Sequence, residues 1–529
     1  MQRRTFLKGA AGAAVYAGSM LAADAEIEVD PSAPGAVINP NIYGHFIEHL
    51  GGVIYDGVWV GAKSKVPNID GIRKRFVDDL KQIAAPNLRW PGGCFADGYH
   101  WRDGIGPVAR RPRTYNFWQR RMPAGAQATE SNQFGFHEFM RLCRLVGAQP
   151  YVAGNVGSGS PKEFHDWVSY CNAPAGTLSL ADERAANGQK EPFGIQYWGV
   201  GNESWGCGGT MLPAEYAAQY RQFVTQFPNY TQPFLIATGP RGHSADEDIG
   251  WTSGFFDAMR GLPLPDGFSI HYYTDLRPTP LKPDRFNAAE WYEVLLRGVR
   301  LEKVIADHWA EMGKVDTAHT TKLVIDEWGV WYAPGSEITP NYILSQPITL
   351  RDAVHTALTF DIFNRHADKL VMANVAQTIN CIHSLFLAEG DRYCRTPAYH
   401  VFDMYRPHMG AKLLPLRVRA AELSVPALAG NARIAGLSAS ASIREKRVAM
   451  NLTNPSLDDS VAVRIRVGGG ARATEAKATI LTHASMSAGN TFAQPDEVHP
   501  AAHQASVEGS SIQVTVPKHS VVALEFQVA

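Results

Sequence analysis

Eight short apolar segments alternate with helical ones between residues 40 and 410, and this alternation limits the fold more than any other feature of the 529-residue chain. The strand candidates are NIYGHFIE (41–48), NLRW (87–90), QPYVAGN (149–155), IQYWGVGN (195–202), PFLIATG (233–239), GFSIHYY (267–273), KLVIDE (322–327) and KLVMANVAQ (369–377). Helical patterns lie between them. Ile72, Phe76, Leu80 and Ile83 mark one apolar face, Pro213 opens a second helix, and Val354, Leu358 and Ile362 form a stripe on a third. Eight strands alternating with helices fit an α/β chain folded as a (β/α)8 TIM barrel better than an open doubly wound sheet. The dinucleotide fingerprint of such sheets is also missing, because GVGNES has Glu where the helix should begin.

After about residue 410 the texture changes. SVAVRIRV (460–467) and SIQVTV (511–516) alternate strictly and SVVALEFQV (520–528) largely does, with Gly/Ser/Ala/Pro-rich turns between them. This predicts an appended C-terminal β-sandwich over 409–529, following a barrel over 40–408. Residues 26–39 open with EIEVD, a lone strand expected to pair into the sandwich, and the Ala-rich tract at 469–479 is expected to be a loop.

Residues 1–25 look like an address. Arg3-Arg4, Phe6-Leu7-Lys8, an Ala/Gly-rich stretch and Ala23-Asp24-Ala25 resemble a bacterial twin-arginine export signal with an A-x-A cleavage site. The stretch is short and weakly hydrophobic for a bilayer span. The expectation is removal after about Ala25 and a periplasmic or secreted product. The six cysteines (Cys94, Cys143, Cys171, Cys207, Cys381, Cys394) show no C-x-x-C spacing and would first meet a reducing cytosol. Both points argue against a zinc ribbon or a disulfide framework. A formal net charge of −1 gives no electrostatic case for nucleic-acid or membrane partners.

In a barrel the working residues sit at the C-terminal ends of strands. Those ends carry Glu48, Arg89, Asn202-Glu203, His271 with Tyr273, Glu327 and Gln377. A lone strand-end Glu is ordinarily a salt bridge or helix cap. Two, at strands four and seven across the barrel mouth, suit glycoside hydrolysis: one carboxylic acid protonates the leaving oxygen and the other attacks the anomeric carbon. An acid that holds its proton near neutral pH needs burial and a neighbouring negative charge. This chemistry needs no metal or cofactor. No H-E-x-x-H, EF-hand loop or G-x-S-x-G occurs in the chain, the last excluding a serine hydrolase.

YGHFIEHLGGVIYDGVWVG, LRWPGGCFADGYHWRDGIGP, GVGNESWG, HYYT and IDEWGVWY, in this order, resemble family 51 of the glycoside hydrolases, the α-L-arabinofuranosidases. The resemblance runs from about residue 26 to the C-terminus. It implies a barrel with an appended β-sandwich, hydrolysis with retention, Glu203 as acid/base and Glu327 as nucleophile. It also implies Asn202 on the sugar 2-hydroxyl, Glu48 and Cys94 as sugar contacts, and Gln377 with Trp331 closing the pocket. For Glu48 the bland alternative is pairing with Arg89 alone, and for Cys94 it is packing.

His271 and Tyr273 share one side of their strand, and that alternation selects Tyr273 over Tyr272 as the partner of the nucleophile or sugar. Trp118 could stack on a sugar or pack on the barrel rim. The substrate implied is an arabinose-containing oligo- or polysaccharide, and the assembly implied is a trimer or hexamer. The glycine-rich SWGCGGTMLPAEY after Glu203, carrying Cys207, departs from the bulkier loop of many members and leaves arabinan, arabinoxylan side chains and xylooligosaccharides open. Rivals are a β-xylosidase or endo-glycanase of the same clan, and a carbohydrate-binding protein on a degenerate barrel.

Overall fold

Parallel strands close into a barrel in chain order: β1 (Gly44–Phe46), β2 (Asn87–Trp90), β3 (Gln149–Gly154), β4 (Tyr197–Val200), β5 (Phe234–Ala237), β6 (Gly267–Asp275), β7 (Lys322–Trp331) and β8 (Leu370–Val375). The closing pair is β8 with β1, where Asn374 lies opposite Gly44 and Val375 opposite His45. This is a computed structural model, describing residues 24–118, 129–228, 230–242, 248–279, 281–339 and 341–529.

The strands read as unbroken apolar runs because helices cover one face and barrel-filling side chains the other; Leu323, Val324 and Ile325 of β7 are each wholly buried. Between β1 and β2 the helix Lys74–Gln82 buries Phe76, Val77 and Leu80, while Ile72 belongs to the short strand before it. The helix Ala288–Val299 starts on a capping box: Asn287 Oδ1 accepts from the Glu290 N–H at 3.1 Å and Glu290 Oε2 accepts from the Asn287 N–H at 2.8 Å. Among the described residues no helix is long and apolar enough to cross a membrane.

The C-terminal domain is two packed sheets. One orders Leu416–Arg419, Ala25–Val29, Val461–Val467, Ser511–Val516 and Ala505–Glu508. Ala25–Val29 thus leaves its own end of the chain to lie antiparallel to one sandwich strand and parallel to another. The second sheet orders Lys412–Leu414, Ser438–Arg444, Arg447–Asn454, Ser520–Val528, Ala473–Leu481 and Ala501–His503. The tract expected as a loop at 469–479 is therefore mostly strand. Its alanines carry little apolar contrast, and the pairing of Ala473–Leu481 with Ser520–Val528 on one side and Ala501–His503 on the other supplies the order that local composition does not.

The helix Leu350–Arg365 joins the two domains. Val354, Leu358 and Ile362 form its expected stripe, but every residue from Leu350 to Asn364 is buried because the sandwich covers the outer face. The seam is polar and satisfied: Asp361 accepts from Ser440 and Tyr405, each at 2.8 Å, and Asn364 Nδ2 donates to Ser440 Oγ at 3.1 Å.

Candidate active site

Glu327 sits just past the middle of β7, which runs on to Trp331 beyond the expected strand end, with both carboxylate oxygens held. Oε1 accepts from Arg89 Nη1 and Oε2 from the Tyr273 hydroxyl, each at 2.7 Å. Arg89 lies on β2, wholly buried, with its guanidinium 4.5 Å from the Phe46 ring centroid. It also donates from Nη2 to Asn202 Oδ1 at 2.7 Å, which fixes that amide and turns its Nδ2 away from the arginine. Tyr273 and Tyr272 point to opposite sides of β6, as alternation requires: Tyr272 donates its hydroxyl to the backbone oxygen of Arg297.

Glu203 follows β4 by three residues. Its φ of +36° is in the left-handed region, an unusual place for a residue with a side chain. Oε1 lies 3.0 Å from His271 Nδ1, which is also 3.5 Å from Glu327 Oε2. Carboxylate oxygens of Glu203 and Glu327 and a ring nitrogen of His271 all lie within 4.8 Å of one another. That proximity matches the short carboxyl separation of retaining glycosidases (about 5 Å) rather than the wider gap of inverting ones.

His271, named among the pocket candidates at the strand ends, is buried among carboxylates. Its Nε2 lies 3.2 Å from Asp326 Oδ1. Burial pushes its pKa down, but the charges of Glu327 and Asp326 outweigh that and raise it to about 10. Asp326 is buried too. Burial raises its carboxyl, while Arg89 and His271 win and hold it well below the usual carboxylate range. The Tyr151 hydroxyl donates to its Oδ2 at 2.6 Å.

Asp326 and Tyr151 escaped the sequence reading. Strict alternation sends Asp326 away from the side Glu327 faces. The strand carries one extra residue, however: the register slips between Ser269 and His271 on one side and between Ile325 and Trp328 on the other. A bulge of this kind re-aims neighbouring side chains, and here two adjacent acids serve one site.

Glu48 follows β1 and is buried, accepting from the Phe95 N–H at 3.0 Å, Trp118 Nε1 at 2.9 Å and Gln377 Nε2 at 2.9 Å. Gln377 also accepts the Glu48 N–H at 2.9 Å. Burial, then the charge of Glu327, raises the Glu48 carboxyl to about 7. Trp118 is thus tied by its indole N–H to Glu48. Trp331 packs its ring 4.9 Å from that of Tyr273, under the guanidinium of Arg277 at 4.0 Å.

Cys94 is not a free thiol. It is bonded to Cys207, 113 residues away, and the two sulfurs lie 3.8 and 3.5 Å from Glu203 Oε2. Spacing carries no sign of this bond, because the barrel closure that brings the loops after β2 and β4 together is a tertiary event. The remaining cysteines, Cys143, Cys171, Cys381 and Cys394, are free and buried.

Among the described residues two donor clusters are tight enough for a cation: Cys94, Glu203 and Cys207, and Glu203, His271 and Glu327. In the first the sulfurs are joined to each other. In the second the charges of Glu327 and Asp326 raise the imidazole pKa, so a cation would have to displace a proton to reach a ring nitrogen.

Two family models match the chain: Alpha-L-arabinofuranosidase 1 domain over residues 79–277, and Alpha-L-arabinofuranosidase C-terminal domain over 326–520. An intracellular exo-α-L-arabinofuranosidase of Bacteroides ovatus is 38% identical over 512 residues, 95% of this chain and 96% of that protein. An intracellular exo-α-(1→5)-L-arabinofuranosidase of Streptomyces lividans is 28% identical, over 92% of this chain and 72% of that one. The crystal structure of the GH51 arabinofuranosidase from Xanthomonas axonopodis pv. citri superposes with a TM-score of 0.89 at 40% identity, covering 96% of this chain and all of that one. Two of these relatives are named intracellular, and this overturns the expectation of twin-arginine export to the periplasm or beyond. Of the segment that prompted it, residues 1–23 lie outside the described residues.

Proposed function

Because the chain belongs to the α-L-arabinofuranosidases of glycoside hydrolase family 51, we propose that it removes terminal α-L-arabinofuranosyl residues from arabinan, arabinoxylan or their oligosaccharides in two displacements, with Glu327 as nucleophile and Glu203 as acid/base. The observation that carries this reading is the meeting of the two carboxyl groups within 4.8 Å at one imidazole.

In the first displacement Glu327 attacks the anomeric carbon, the bond to the leaving oxygen breaks, and Glu203 gives that oxygen its proton. Arg89 and Tyr273 keep the Glu327 oxygens aimed during attack. In the second, Glu203 takes a proton from water, the water oxygen attacks the same carbon, and the ester to Glu327 breaks. Two inversions give net retention. Asn202, with Oδ1 committed to Arg89, presents Nδ2 as donor to the sugar 2-hydroxyl. Glu48 accepts from sugar hydroxyls at the other end of the ring, held by Gln377 and Trp118. Trp331 closes the pocket wall beside Tyr273.

The test compares 4-nitrophenyl α-L-arabinofuranoside with 4-nitrophenyl β-D-xylopyranoside, following the first-formed anomer by NMR. The reading expects preferential turnover of the arabinofuranoside with retention. Preference for the xyloside, or an inverted product, overturns it. The trimer or hexamer that the resemblance implies is checked by size-exclusion chromatography with light scattering, where a monomer speaks against it.

A further inference from the structure

The reaction just described makes no use of the disulfide in the glycine-rich run Gly206-Cys207-Gly208-Gly209. We propose that the Cys94–Cys207 bond is a redox-sensitive positioning device for the acid/base: closed, it holds the Glu203 carboxyl against the leaving-group oxygen, and opened by a dithiol reductant, it weakens proton delivery while leaving the sugar pocket in place. This inference rests on the assignment of Glu203 as acid/base.

The carboxyl group is wedged. One oxygen faces His271 at 3.0 Å, and the other faces the two sulfurs at 3.5 and 3.8 Å. A disulfide sulfur has no proton to donate, so its contribution is steric: it limits how far the side chain can swing from the imidazole. The backbone needs the same restraint. The left-handed φ of Glu203 persists only if its surroundings impose it. Two turn bonds do part of this, with the N–H groups of Gly206 and Gly208 donating to the Glu203 carbonyl at 2.7 and 3.1 Å. Cys207 lies between them and adds the covalent tie.

The tie crosses the barrel mouth. Cys94 opens the short 3-10 turn Cys94–Gly98 after β2, and Cys207 lies in the loop after β4. The loops touch closely beside the bond: a Cβ on Gly208 would come within 2.0 Å of the Asn202 carbonyl oxygen and 3.0 Å of Asp97 Oδ2. Asn202 is itself 3.7 Å from Cys207 Sγ through Nδ2. Opening the bond therefore frees the segment that carries Glu203. Asn202 stays tied to Arg89 through Oδ1, and Glu327, Arg89, Tyr273, Glu48 and Gln377 remain anchored by their own hydrogen bonds.

The bond also joins the more accessible cysteines of the chain. Cys94 and Cys207 are half-buried, whereas the free cysteines are buried, with thiols pushed up by that burial. Disulfides of intracellular proteins are uncommon and tend to be those whose redox state matters. The chemistry is ordinary exchange. A thiolate of the dithiol attacks one cysteine sulfur and the sulfur–sulfur bond breaks. The second thiol then resolves the mixed disulfide. Cys94 and Cys207 end as thiols, each gaining one proton, and the dithiol leaves as a cyclic disulfide.

The experiment uses the full chain, oxidised and after treatment with dithiothreitol, on two substrates. Nitrophenolate leaves without needing a proton, whereas the sugar hydroxyl of an arabino-oligosaccharide does not. Reduction should lower kcat/KM on the oligosaccharide roughly 30-fold and on 4-nitrophenyl α-L-arabinofuranoside by less than about threefold. Reoxidation should restore both. Cys207→Ser should copy the reduced protein and ignore the dithiol. Equal loss on both substrates, no loss on either, or six titratable thiols in the purified protein overturns the proposal. If the oxidised chain turns over neither arabinofuranoside, the arabinofuranosidase reading itself fails.

Discussion

Nε2 of His271 lies 3.2 Å from Oδ1 of Asp326, on the side of the imidazole away from Glu203. The ring therefore stands between Asp326 on one side and Glu203 and Glu327 on the other, and with Arg89 it supplies the positive charge of a site that also holds Glu48. The folded protein keeps His271 protonated up to about pH 10, against an ordinary value of 6.5. A group bound more tightly to its proton in the folded state stabilises fully below its unfolded pKa and loses that contribution as pH rises through the folded one. The wild-type chain should thus lose stability between pH 6.5 and about pH 10 more steeply than His271→Asn. Melting temperature against pH for the two proteins checks this; parallel curves over that window would sink it.

Glu48 runs with the same sign. Its carboxyl is raised from 4.5 to about 7, so burial of the charged form costs stability progressively across that interval. Glu48→Gln carries no charge to bury and should show a flatter melting curve from pH 4.5 to 7. The amide still accepts from Phe95 and Trp118, but its NH2 meets the NH2 of Gln377 where a carboxylate oxygen was. The sugar pocket should suffer for it: kcat/KM on 4-nitrophenyl α-L-arabinofuranoside is expected to fall about tenfold or more, the order of one lost charged hydrogen bond.

The two carboxyl groups of the reaction separate by their response to small nucleophiles. Glu203→Ala should accumulate the glycosyl-enzyme, lose about 100-fold or more in turnover, and recover with azide as the arabinosyl azide of retained configuration. Glu327→Ala cannot form the ester, and azide should return the opposite anomer or nothing. Mass spectrometry of the trapped enzyme and NMR of the azide product distinguish the two. Equal residual activity in both variants would contradict the roles.

Much of this architecture was legible in local pattern, and the failures share one cause. The barrel followed from apolar segments spaced by helical ones, and looking where such segments end picked out Glu203, Glu327 and Arg89, which the fold brings together. Asp326 was passed over because alternation holds only in a regular strand, and β7 carries an extra residue there. The Cys94–Cys207 bond spans 113 residues and depends on closure of the barrel. The helix Leu350–Arg365 showed one apolar stripe, whereas its outer face is buried by a domain that begins some 45 residues later. In each case a contact distant in sequence decided the outcome, and periodicity carries only near neighbours.

Gly93 gives the sharpest steric prediction. A Cβ there would lie 3.1 Å from Glu327 Oε1 and 3.2 Å from each oxygen of Glu48, closer than carbon and oxygen settle without displacement. Both carboxylates are buried and held by hydrogen bonds, so neither can step aside freely. Gly93→Ala should therefore push the Glu327 carboxylate by a few tenths of an ångström. Since a displacement near 1 Å costs about 100-fold in rate, this smaller one should lower kcat about five- to tenfold. Gly98 is the control: a Cβ at that position meets nothing within 4 Å, and Gly98→Ala should leave kcat as it is. A Gly93→Ala enzyme with wild-type kcat would show that the Glu327 carboxylate has room the structure does not display.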